Sequence, residues 1–93
     1  DLSNNLIRTI DEKLFKTCSN LEWLHLNNNK LTCLHPDTFK KLTELNFLDL
    51  NGNKIELIDV KLFQKCTKLK SLNLKNNKIL KIKRQSKSLL IKS

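Results

Sequence analysis

Residues 21–44 read LEWLHLNNNKLTCLHPDTFKKLTE, and residues 45–68 read LNFLDLNGNKIELIDVKLFQKCTK. Laid one above the other, they put Leu21 over Leu45, Leu24 over Leu48, Leu26 over Leu50, Asn29 over Asn53 and Phe39 over Phe63. The same step of 24 reaches outward in both directions. It links Leu2, Leu26, Leu50 and Leu74, then Asn5, Asn29, Asn53 and Asn77, then Ile10, Leu34, Ile58 and Ile82. Self-similarity at a period of this size is the signature of stacked structural repeats, each unable to bury its apolar face alone.

Within a unit, Leu24 and Leu26 alternate with Trp23 and His25, the period-2 pattern of a half-buried strand. The other apolar positions are irregularly spaced and must reach a common interior through a bending chain. Where that chain leaves the strand, backbone N–H and C=O groups are buried without a sheet partner, which is costly. A carboxamide offers both donor and acceptor. Asn5, Asn29, Asn53 and Asn77 therefore read as an inward structural ladder, whereas Asn27 and Asn28 read as exposed turn residues. Phe15, Phe39 and Phe63 read as a spine of stacked rings on the side away from the strands.

The pattern LxxLxLxxNxLxxL followed by a phenylalanine resembles the leucine-rich repeat, in the 24-residue form found in Toll-like receptor ectodomains and small leucine-rich proteoglycans. The resemblance implies an α/β solenoid, with a curved parallel sheet on its concave side and loops and short turns on the convex side. It covers residues 1–82 as a partial repeat, two full repeats and a second partial repeat, leaving 83–93 as a basic tail or rudimentary cap. Asp1 aligns with His25 and Asp49, in mid-strand, and no cysteine-rich cap flanks the array. The expectation is a fragment of a longer extracellular or receptor-type protein, with a cytoplasmic scaffold as the alternative.

Composition narrows the function without naming it. A 93-residue chain makes one small domain with a thin core. The longest apolar run, Leu89–Ile91, is far short of the roughly 18–20 residues that cross a bilayer, and Asp1 opens nothing like a signal peptide. The net charge of +9 is uneven: residues 1–46 hold six basic and six acidic side chains, and residues 47–93 hold twelve and three. A polyanion (glycan, acidic lipid or nucleic acid) is thus expected to meet the C-terminal half, the competing reading being a solvated charge run. No aromatic follows Phe63 to stack on bases.

Cys18 and Cys66 fill the slot that Leu42 occupies between them, so they read as small buried hydrophobes. Two repeats place them about 10 Å apart, beyond the roughly 4.4–6.8 Å a disulfide needs. Cys33 falls in another phase and is expected to be partly exposed. No spacing of cysteines and histidines suits a metal, and no cofactor or small-molecule substrate is implied.

Outward positions of adjacent strands form columns about 4.8 Å apart. The resemblance carries ligand contacts to this face, here Glu22, Trp23, His25, Phe47, Asp49, Lys70, Asn73 and Lys75. Trp23 and Phe47 read either as the centre of a protein-binding patch or as a cross-strand pair covering each other. His25 between Asp1 and Asp49 suggests a shared charge site and a pH-sensitive contact. Ser3 and Ser71 lie in other columns, so no nucleophile completes a catalytic set and no catalytic residue is assigned.

Overall fold

The computed structural model describes residues 1–83; the tail or cap expected over 83–93 lies outside them except at Lys83. Five short strands follow one another as β1 (Trp23–His25), β2 (Phe47–Asp49), β3 (Leu57–Asp59), β4 (Ser71–Asn73) and β5 (Lys81–Lys83), with a 3₁₀ turn at Val60–Phe63. Strands β1, β2 and β4 form one parallel sheet in that order, and β3 pairs with β5 in a second.

Register follows the repeat without a slip. Trp23 stands opposite Phe47 and Phe47 opposite Ser71, while Leu24, Leu48 and Leu72 share one rung and His25, Asp49 and Asn73 the next. The ladder continues past the strand ends. Leu2, Leu26 and Leu50 donate their N–H groups to the carbonyls of His25, Asp49 and Asn73, each at 2.9 Å. Asn4, Asn28 and Gly52 donate in the same way to Asn27, Asn51 and Lys75 at 2.8–3.0 Å.

These last donors occupy a left-handed turn, with φ of 58° at Asn4, 58° at Asn28, 73° at Gly52 and 57° at Asn76. Asparagine and glycine are the residues that tolerate this conformation. The far side of each repeat closes by a relay of tight turns. Cys18, Leu42 and Cys66 donate to Phe15, Phe39 and Phe63, and Leu21, Leu45 and Leu69 donate to Cys18, Leu42 and Cys66.

The core lies between the two full repeats. Leu26, Leu31, Phe39, Leu42, Leu45, Leu48, Leu50 and Ile55 are wholly buried. Each aliphatic side chain among them contributes about 1.5–3 kcal/mol of burial, offset by its share of chain entropy. The phenylalanine spine is present, with ring centroids 6.0 Å apart for Phe15–Phe39 and 6.4 Å for Phe39–Phe63. Cys66 is buried and Cys18 half-buried, Cys33 is exposed, and all three are free thiols. Burial pushes the Cys66 thiol above its ordinary value.

The structure corrects the expected architecture in three respects. The sheets, of three and two short strands, are not curved, so the solenoid is not visible in these repeats. The α/β label overstates the helical content, because the 3₁₀ turn is the only helix among the described residues. Segments expected to be loops and short turns carry the parallel β3–β5 pair, with Leu57 opposite Lys81 and Asp59 opposite Lys83.

Candidate functional site

The strand-face columns are held from below by the asparagine ladder, whose construction is finer than one bond per residue. The Asn29 amide donates to the carbonyls of Leu2 and Leu26, both at 3.0 Å, and the Asn53 amide to Leu26 and Leu50, both at 3.0 Å. Asn77 repeats this on Leu50 and Leu74. Each of the Leu26 and Leu50 carbonyls is therefore shared by two successive carboxamides. The side-chain oxygens accept from the turn of the preceding repeat: Asn29 from Asn5 and Ile7, Asn53 from Leu31, and Asn77 from Ile55, at 3.0–3.2 Å. Asn5 is exposed and caps only Leu2 and Ser3.

Above this frame, Trp23 projects from β1 with 67% of its surface exposed. Phe47, directly opposite on β2, is half-buried. The close ring contact is diagonal, between His25 and Phe47, with centroids 5.1 Å apart and planes inclined by 52°. Trp23 and Phe47 do not cover each other as a ring pair among the described residues.

The shared charge site expected of His25 and Asp49 also fails to form. The Asp49 carboxylate turns back to accept the N–H of Asn51 at 2.9 Å, as Asn73 does for Lys75 at 3.0 Å and Asp1 for Ser3 at 2.8 Å. This column caps the strand exits, an ordinary preference of Asp and Asn side chains. Its members are occupied by their own backbone, and His25 is left to stack on Phe47.

Glu22 and Lys70 border a cleft of about 510 Å³, which Glu44, Asn46, Thr67, Lys68 and Leu69 complete. The Lys68 ammonium lies 2.7 Å from the Glu44 carboxylate. That hydrogen bond, reinforced by the Glu44 charge, holds Lys68 above the ordinary lysine range. Glu44 and Lys68 were not singled out by sequence, although opposite charges one repeat apart were a readable signal. Lys75 is exposed at the strand exit and Asn73 half-buried beside it.

A second group arises only through stacking. Glu12, His35 and Asp37 bring their ligand-type atoms within 4.8 Å of one another. His35 Nδ1 lies 3.0 Å from Glu12 Oε2 and also 3.0 Å from the Asp37 backbone N–H. The second contact matches Asp11 to Lys13 and Asp59 to Lys61, so His35 occupies a capping column in which its neighbours are aspartates. Lys61 and Lys40 approach Asp37 at 3.6 and 4.0 Å. Two ammonium groups already beside the Asp37 carboxylate disfavour a cation there.

The Leucine rich repeat family model matches residues 1–55, and a second Leucine Rich Repeat model matches residues 68–89. No curated protein matches the chain. The matched segments contain the parallel strands β1, β2, β4 and β5 and the whole asparagine ladder. On sequence period, register and family match together, the chain belongs to the leucine-rich repeat family.

Proposed function

We propose that the face of β1, β2 and β4 is a protein-recognition surface centred on Trp23. Leucine-rich repeats generally mediate protein–protein interaction. The observation that carries the finer reading is Trp23 itself, a large aromatic held two-thirds exposed on edge strand β1, which pairs with β2 on one side and is tied to Leu2 through the His25 carbonyl on the other. Such a ring supplies extensive contact area at little entropy cost, and tryptophan is enriched among the residues that dominate binding energy. The tilted His25–Phe47 pair stands beside it, with Glu22, Asp49, Asn73, Lys70 and Lys75 as a mixed polar rim.

The surface acts by complementarity, without chemistry on the ligand. In a longer array the same face would line the concave side of a solenoid. The 24-residue period with its phenylalanine spine supports an extracellular, receptor-type setting over a cytoplasmic scaffold.

Trp23 is the only tryptophan, so its fluorescence reports the patch directly. Candidate secreted and ectodomain proteins are titrated into the chain. A partner is expected to blue-shift the emission, and Trp23→Ala to weaken its binding by about 30-fold, the loss of a hot-spot side chain. A partner bound equally well by Trp23→Ala and Phe47→Ala refutes the placement.

A further inference from the structure

Past the asparagine turn, the chain runs through Leu6–Thr9 in the first repeat, Lys30–Cys33 in the second and Lys54–Leu57 in the third. These segments are stacked by backbone bonds: Lys30 donates to Ile7 and Lys54 to Leu31, both at 2.8 Å, and Lys78 donates to Ile55 at 3.1 Å. Leu31 and Ile55 point inward and are wholly buried. The alternating neighbours face out, which aligns Lys30, Lys54 and Lys78 in one column and Arg8, Thr32 and Glu56 in the next.

Across these three segments lies a cleft of about 350 Å³ lined by Arg8, Thr9, Lys30, Thr32 and Lys54. Its walls offer three cations and two hydroxyls, and no carboxylate. Among the described residues none of these cations is in an ion pair, whereas Lys40, Lys61 and Lys68 each have a carboxylate within 4.0 Å. Two of the three cations belong to the net-neutral half of the sequence, so the overall charge excess does not point here; the stacking does.

We propose that this cleft binds the sulfate groups of a linear sulfated polysaccharide. Like charges stacked at the roughly 4.8 Å step of a parallel ladder repel one another, and a ligand with closely repeated negative groups relieves them. Arg8 presents a planar fork suited to two oxygens of one tetrahedral anion, while Lys30 and Lys54 act as point charges. Thr9 and Thr32 add hydroxyls that can donate to sulfate or accept from sugar hydroxyls. A nucleic acid fits less well. No aromatic lines the cleft for base stacking, and no α-helix or antiparallel ribbon among the described residues could enter a groove. Glu56 ends the site on the side of Lys78.

The test titrates the full chain with a short heparin oligosaccharide over a range of salt. Arg8→Gln/Lys30→Gln/Lys54→Gln is compared with the charge-matched Lys65→Gln/Lys70→Gln/Lys75→Gln. Each contact to a linear polyanion contributes roughly 0.7–0.9 to the slope of log affinity against log salt, so the first variant is expected to lose about 2 from that slope and roughly tenfold or more in affinity. The second is expected to lose clearly less. Equal losses in both would mean attraction by net charge alone and would overturn the site. Glu56→Gln is expected to bind more tightly; unchanged or weaker binding overturns the placement. A duplex DNA fragment binding through Arg8, Lys30 and Lys54 more tightly than heparin overturns the ligand class.

Discussion

Replacing Asn53 by leucine tests the ladder at its most buried point. Asn53 is 5% exposed and makes three bonds: its oxygen accepts the Leu31 N–H at 3.1 Å, and its amide donates to the Leu26 and Leu50 carbonyls at 3.0 Å. The losses are unequal. Leu26 keeps the Asn29 amide and Leu50 keeps the Asn77 amide, so both carbonyls retain one partner. The Leu31 N–H keeps none and is buried. An orphaned buried donor costs about 1–3 kcal/mol, and each lost bond whose acceptor stays satisfied about 0.5–1.5. The total is about 2–6 kcal/mol, set against a stability of about 5–14 for a domain of this size.

Urea unfolding followed by circular dichroism measures it, with the midpoint expected to fall by about 1–4 M for a slope of about 1.5 kcal/mol per molar. Asn5→Leu is the internal control, because its two bonds lie at the surface, and about 0.5 kcal/mol or less is expected. Asn77→Leu should fall between them, its bonds being part-buried. Should Asn53→Leu cost no more than Asn5→Leu, the carboxamide does not satisfy the turn backbone and the reasoning is wrong.

Three further outcomes follow from local geometry. Gly52→Ala adds a Cβ that collides with the Asn28 side chain at a φ of +73° and should cost about 1–3 kcal/mol, with Gly52→Asn costing less because Asn4, Asn28 and Asn76 already hold this conformation; thermal denaturation ranks the two. Thr38 buries a hydroxyl without a partner in the column of Leu14 and Leu62, so Thr38→Val should raise stability by about 1 kcal/mol, and a loss in the same assay would show the hydroxyl is satisfied. Lys68 titrates above its ordinary value in the folded chain, so the Glu44 contact is fully present below the unfolded lysine value and is lost as pH rises through the folded one. Glu44→Gln should bring the Lys68 titration, followed by NMR, back down; an unmoved midpoint would exclude Glu44 as the cause.

Much of the frame was readable from one line of sequence because most buried columns repeat with one chemistry. Leu2, Leu26, Leu50 and Leu74 could be aligned without coordinates, and the pairing of Leu24 with Leu48 and Leu72 followed from the period alone. What escaped were choices between competing partners. Asp49 could reach His25 or its own chain, and it accepts the Asn51 N–H two residues on, at 2.9 Å. The same competition made His35 a cap, and its contact with Glu12, 23 residues earlier, crosses between columns that a strict step of 24 keeps apart. The β3–β5 pair escaped for another reason. Its middle rung, Ile58 opposite Ile82, is a repeating apolar column. The flanking rungs pair Leu57 with Lys81 and Asp59 with Lys83 and share no chemistry, so a single column did not announce a strand.

The ladder also explains how one short array can carry two unlike surfaces. The strand exit before Asn29 and the segment that follows Asn5 in the preceding repeat are tied by the same carboxamide, which donates to Leu26 on one side and accepts from Ile7 on the other. The aromatic face at Trp23 and the basic cleft at Arg8 and Lys30 therefore share a support but no side-chain contact. Outward residues on either can change without reaching the core, because their neighbours in sequence, Leu24 and Leu31, carry the packing alone. Substitutions at Trp23 and Lys30 should then act independently, as distant sites without shared partners do, whereas any change at Asn29 must disturb both surfaces at once.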